Sequence, residues 1–242
     1  MRTKSPQDIE ASMTEVLDSR PSGLPWSRQI GPRLVTLWQA KMLGITLGMI
    51  AFFCVYFWLL RHPLFQYAVV PLTPVDRWVD FRPEALPLYL SLWLYLSLAP
   101  ALLIERRELA SYGLAAVGLS AIGLSIFLFL PTAVPPCGID WSRHPAFAIL
   151  KAADASGNAC PSLHVAFAVF TAIWLARLLR QMGAGRLIRW SNWLWCLGIL
   201  YSTIAIRQHV FLDVLAGAAL GVAVAGAHLW LLRVLPGRAR VL

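Results

Sequence analysis

Apolar and polar positions alternate along this chain in long blocks rather than at short helical or strand periods. Six stretches approach the roughly 17–25 apolar residues that cross a hydrocarbon core as a helix: residues 42–60, 85–104, 112–134, 163–179, 190–206 and 211–232. The first and third contain no charge at all, whereas the fourth and fifth are short or carry polar residues. The pattern predicts an all-α, polytopic membrane protein, a six-transmembrane-helix bundle with both termini on the cytoplasmic side. Its expected divisions are a cytoplasmic N-terminal segment 1–41, a membrane domain 42–234 and a basic cytoplasmic tail 235–242.

Between the blocks, the polar segments carry their own signals. Ser5-Pro6-Gln7-Asp8 reads as a capped helix start, with Ile9, Met13, Val16 and Leu17 on one face, as in a short amphipathic helix at a membrane surface or a frayed polar tail. The first thirty residues hold no apolar core followed by small residues, so no cleavable leader is expected. Segment 61–84 is rich in proline and aromatics, as at an interface. Segment 135–162 is entered through PTAVPP, where Pro135 and Pro136 forbid a helix; it also holds Asp140, Arg143, His144, Lys151, Asp154 and Asn158. Gly217 with Gly221, and the spaced Gly113, Gly118 and Gly123, suggest close helix packing.

Composition supports the membrane reading. The chain is 58% hydrophobic and 14% charged, against about 45–50% and about 25% in soluble domains. The net charge of +9 suggests nucleic-acid binding until the basic residues are sorted by loop. Fifteen of the 21 Lys and Arg fall on the side shared by the termini and six on the other. That excess marks the cytoplasmic side, so the charge is a topology signal and no nucleic-acid partner is expected. Of the four cysteines, Cys137 and Cys160 share the 135–162 loop and could close it with one disulfide in an oxidising compartment.

The chemistry sits where two of these blocks begin. His164 opens the fourth run within NACPSLHVAF, and Arg207, His209 and Asp213 lie where the fifth run gives way to the sixth. The six-span topology puts all four at one depth on the outer face. Ionisable groups at such a depth are costly and are functional candidates by default. If the sixth helix starts near His209, Asp213 four residues on shares its face. Its carboxylate would then orient one imidazole nitrogen and free the other as nucleophile or base. Arg207 brings a planar fork suited to phosphate, and Pro161 and Ser162 place His164 in the first turn of a helix, where free N–H groups favour an anion. A lone histidine at a span end would be ordinary; the four together point to catalysis. No further carboxylate or cysteine cluster completes a metal site, and no metal or other cofactor is expected.

Pro161-Ser162-x-His164 followed by Ser202-x6-His209-x3-Asp213 resembles the type 2 phosphatidic acid phosphatase superfamily of lipid phosphatases, lipid phosphotransferases and vanadium haloperoxidases. PSLHVA and ST-x3-RQH-x3-D resemble most the branch of inositol phosphorylceramide synthases and related bacterial proteins. The resemblance covers about residues 85–220. Leu163 stands where the family's PSGH has glycine, Thr203 stands where its third signature has arginine, and its first signature, K-x6-RP, is missing. The resemblance implies a phosphohistidine formed on His209, with Asp213 orienting it and His164 as general acid and base. Arg207, Ser162, Arg143 and Lys151 are the candidate phosphate ligands. The substrate would be a phospholipid or lipid phosphate drawn from membrane lipids, with water or an alcohol as acceptor. A bacterial inner membrane is the expected location, with the site toward the periplasm or exterior. A transporter relay fits less well, because the ionisable residues cluster at one face; a structural membrane protein that keeps the motifs without turnover is the third class.

Overall fold

A computed structural model of the chain describes residues 24–147, 150 and 157–234. The amphipathic start at Ile9 to Leu17, Lys151, Asp154 and the tail 235–242 lie outside the described residues. Among the described residues the regular structure is helical apart from two very short strands. The helices are α1 (Trp26–Val35), α2 (Trp38–Arg61), α3 (Pro74–Trp78), α4 (Leu86–Leu90), α5 (Leu92–Leu102), α6 (Arg106–Phe129), α7 (Leu163–Gln181), α8 (Arg186–Ala205) and α9 (Phe211–Val234).

Among the described residues, five segments are long and apolar enough to cross a membrane: Trp38–Arg61, Pro83–Leu102, Arg106–Phe129, Leu163–Gln181 and Phe211–Val234. The fifth expected span falls on α8, which is 20 residues long but is not among these five. Its first two turns carry Arg186, Arg189 and Asn192, and these lower its hydropathy below that of the others. The second expected span is segmented. A 3-10 turn at Pro83–Ala85 leads into α4, and Ser91 separates α4 from α5. The third lies about a turn and a half earlier than its apolar run, because Arg106 to Glu108 belong to the helix although they break the apolar pattern. Glu108 offsets the cost of its place by pairing with Arg177 of α7 at 3.0 Å. The helix then stops at Phe129, short of Pro131.

α7 is the central element: 72% of its apolar window is buried, against 6% for α2. Phe170 and Trp174 of α7 are fully covered, while Trp38, Met42, Leu47 and Trp58 of α2 face outward, as lipid-facing side chains do. α9 lies close against α7 along Gly217 and Gly221. A Cβ at Gly217 would collide with the Ser162 carbonyl, and one at Gly221 with the Ala166 carbonyl. The predicted close packing therefore holds at these two glycines. It also holds at Gly123, which receives the Leu163 side chain, but not at Gly113 or Gly118, which face open space.

Beyond the helix ends, β1 (Ala68–Val69) pairs in parallel with β2 (Thr132–Ala133). Ala133 also bridges Gly157, Ala159 N–H donates to the Thr132 carbonyl, and Cys160 N–H donates to Thr132 Oγ1. This small lattice holds segment 157–160 at the entrance to α7. All four cysteines are free thiols, so the Cys137–Cys160 disulfide is not formed. The Cys160 thiol instead lies beside Asp213; burial, and then that carboxylate's charge, push its pKa up.

Candidate active site

The site is built where α8 ends and α9 begins. After Ala205 the chain closes with a Schellman arrangement: Gln208 N–H reaches the Thr203 carbonyl and Arg207 N–H the Ile204 carbonyl. Arg207 holds the left-handed position, φ 57°, that this motif usually gives to glycine. That backbone costs roughly 1–2 kcal/mol for a residue with a Cβ. Its guanidinium offsets this by donating to the carbonyls of Asp76 (2.9 Å) and Val79 (2.7 Å).

His209 follows two residues after Arg207, its N–H also on the Thr203 carbonyl. It lies in the turn two residues before α9, not on the helix, so a shared helix face is not what brings it to Asp213. The turn does so. Asp213 is the third residue of α9 and reaches back to accept from Val210 N–H at 3.0 Å. That bond fixes the fully buried carboxylate with Oδ2 at 3.5 Å from His209 Nδ1. His209 Nδ1 and Asp213 Oδ1 make no hydrogen bond, so the pair is poised rather than closed.

α7 supplies the second histidine. Ser162 caps the helix, its Oγ accepting from Val165 N–H at 3.3 Å, and its own N–H donates to the Asp213 carbonyl. The first turn of α7 is thereby fastened to the first turn of α9. His164 stacks on Tyr89 with ring centroids 4.0 Å apart and planes within 9°. Its Nε2 lies 3.2 Å from the Tyr89 carbonyl. A carbonyl only accepts, so this contact puts the proton on Nε2 and leaves Nδ1 for exchange.

His164 and His209 open onto one cavity of about 890 Å³, within the size range of small-molecule sites. Tyr89 and Trp93 line it beside His164, Asn158 is also in its wall, and it continues as an apolar groove between α2, α5 and α6. Among the described residues, no group of three or more His, Cys, Asp or Glu gathers as a metal ion would need.

The two histidines and Asp213 thus converge, but of the expected phosphate ligands among the described residues Arg207 and Arg143 do not. Arg207 is committed to the two carbonyls and does not line the cavity. Arg143 pairs with Asp140 at 3.2 Å and is 81% exposed; it too is off the cavity wall. Ser162 is fully buried, with its hydroxyl oxygen accepting from the helix.

Residues 107–235, more than half of the chain, match the family model described as the PAP2 superfamily. The chain belongs to the PAP2 superfamily. No curated protein and no solved structure matches it. PAP2 members are phosphoesterases and phosphotransferases, so an enzyme of this general kind is supported, acting on lipid phosphates in a membrane. Within the PAP2 framework the departure at Leu163 has a structural counterpart: its side chain fills the space that Gly123 of α6 leaves open. Thr203, in place of the family arginine, is buried, with its hydroxyl on the Leu200 carbonyl.

Sequence reading missed Asp76. This buried carboxylate accepts from Thr73 N–H and Oγ at 2.7 Å each, and through its other oxygen from Phe211 N–H, the first amide of α9, at 2.7 Å. The capping-box pattern Thr73-Pro74-Val75-Asp76 signalled its role in α3. Its grip on α9 is tertiary and left no local trace.

Proposed function

We propose that this protein cleaves a lipid phosphoester through a phosphohistidine intermediate and passes the phospho group to water or to an alcohol. The observation that carries the reading is the opening of His164 and His209 onto one cavity, with Asp213 behind His209. The apolar groove leading away from them supports a lipid substrate. Its lining on α2 runs from Ala40 to Phe57, about 25 Å at 1.5 Å per residue, enough to take a hydrocarbon chain.

In the proposed mechanism Asp213 holds the Nδ1 side of His209, and Nε2 attacks phosphorus. The N–P bond forms as the P–O bond to the lipid breaks, and His164, protonated at Nδ1, gives its proton to the departing alcohol. The acceptor then loses a proton to His164 and attacks phosphorus, forming a new P–O bond and freeing His209. Acid–base assistance of this kind contributes about 10²–10⁴-fold. The PSLHVA and RQH-x3-D forms tilt the reading toward headgroup transfer, as in the inositol phosphorylceramide synthase-like branch. The distribution of Lys and Arg supports six spans, with α8 among them, cytoplasmic termini and a site facing the periplasm or exterior of a bacterial inner membrane.

The test is incubation of the purified protein with labelled phosphatidic acid, isoprenyl diphosphate and phosphatidylinositol, with and without candidate alcohols. Free phosphate identifies hydrolysis, and a new phospholipid identifies transfer. His209→Ala should abolish both, and EDTA should change neither. Full turnover by His209→Ala would refute the phosphohistidine, and a loss restored by added metal would refute the metal-free scheme.

A further inference from the structure

The proposed reaction needs donors for the phosphoryl oxygens, and the arginines expected to supply them are committed elsewhere. Asn158 has the required chemistry and lines the same cavity. It is 3% exposed and lines the cavity together with His164 and His209. Its Nδ2 is buried without any acceptor, although buried amide donors almost always have one. Gln208 has an equally orphaned Nε2, but it does not line the cavity.

The backbone explains how the amide is aimed. Asn158 stands at φ 54°, a left-handed conformation that asparagine tolerates better than most residues. Both of its flanks are pinned to β2, Gly157 by its bridge to Ala133 and Ala159 by its bond to Thr132. Four residues later Ser162 starts α7, so Asn158 and His164 are positioned by one continuous, anchored segment.

We propose that Asn158 is a substrate ligand of this site, its Nδ2 donating to an oxygen of the phosphoryl group. The assignment rests on the reading of the cavity as a phosphoryl-transfer site. A neutral amide suits this role, because it stabilises charge on an equatorial oxygen from a preorganised position and brings no ion into a low-dielectric wall. It also takes over part of the work of the missing first signature.

Two substitutions separate donor from backbone. N158G accepts the left-handed backbone at no steric cost and lacks the amide. N158D keeps the shape and replaces the donor with a carboxylate. The full-length protein in detergent would be assayed for turnover of phosphatidic acid and for saturable binding of inorganic phosphate, with thermal melts alongside. N158G should melt like the parent, with kcat/KM and phosphate affinity both reduced about 10- to 100-fold, as for loss of a hydrogen bond to a charged group. N158D should be worse on both counts. Turnover and phosphate affinity in N158G within twofold of the parent overturn the assignment, and so does a parent protein that binds no inorganic phosphate at millimolar concentration. If N158G is unimpaired while His209→Ala is inactive, the ligand fails and the phosphohistidine stands. If His209→Ala retains turnover while N158G loses phosphate binding, the ligand stands and the phosphohistidine fails.

Discussion

The two ends of the helix bundle both bury polar side chains, and only one of them sets such groups beside the two histidines. At the end away from the histidines, polar side chains are drawn into bonds between helices. Lys41 Nζ sits on the carbonyls of Arg33 and Ala101, Arg33 on Leu102, and Gln29 on Leu24 and Met182. Glu108 pairs with Arg177, and Ser111 with His228. These bonds tie α1, α2 and the ends of α5 to α7 into one body. At the other end Arg207 and Asp76 are committed in the same way, but the Asn158 amide is unpartnered and the His209–Asp213 pair stands at 3.5 Å, with Asn158 and His209 in the wall of the cavity. Hydrogen-bonding capacity turned toward neighbouring helices is architecture. Unfilled capacity against a cavity is the mark of a group awaiting something.

The sharpest way to break this comparison is Asp213→Asn. Asparagine keeps an oxygen for Val210 N–H but loses the charge that orients and stabilises His209. Turnover should fall by about 10³–10⁴-fold, the scale seen when the carboxylate of such a pair is neutralised, while the melting temperature stays within a few degrees. A protein that unfolds instead would put Asp213 in the architectural class.

Next in size is Gly217→Ala. The added methyl meets the Ser162 carbonyl and pushes the first turn of α7, which bears His164, away from the start of α9. A displacement of about 1 Å at a reacting group costs on the order of 10² in rate, with about 1–3 kcal/mol of overpacking. Gly226→Ala on the same helix has open space and should change neither. Equal effects of the two substitutions would sink the claim that the α7–α9 contact sets the site geometry.

Much of this was legible in the chain, for stated reasons. Apolar runs locate helices because each must cover its own backbone in lipid, and so α7 and α9 begin at Leu163 and Phe211, where the runs begin. The run at 112–134 misled at both ends, because a charged first turn can be helical when Arg177 waits opposite Glu108. His164, His209 and Asp213 were legible because each is an ionisable residue at a place that resists one. Arg207 was legible as important but not as a clamp, since its partners Asp76 and Val79 lie about 130 residues earlier. Asn158 could not be picked out from the other polar residues of its loop, because what singles it out is the pairing of its neighbours with β2.

At the opposite end the largest single test is Glu108→Gln. It unpairs Arg177, whose side chain is 28% exposed, as that of Glu108 is 19% exposed. Such a pair falls between surface and fully buried cases, so a loss of about 1–2 kcal/mol is expected, read from denaturant melts in detergent. Turnover per folded molecule should be unchanged. A fall in kcat with normal stability would mean that the two ends are coupled through α7.

The smallest effects come from one substitution made at both ends. Ser111→Ala removes the hydroxyl 2.6 Å from His228 Nε2; Ser162→Ala removes the oxygen that caps Val165 N–H. Each should cost about 1 kcal/mol, the usual value of a buried hydrogen bond or a helix cap. Their catalytic consequences should differ. The cap of α7 is two residues from His164, and loosening that turn should lower kcat about tenfold; the Ser111 change should leave kcat alone. Equal stability loss with unequal turnover is the outcome that separates the two ends, because it compares one hydroxyl with another and changes only where it sits.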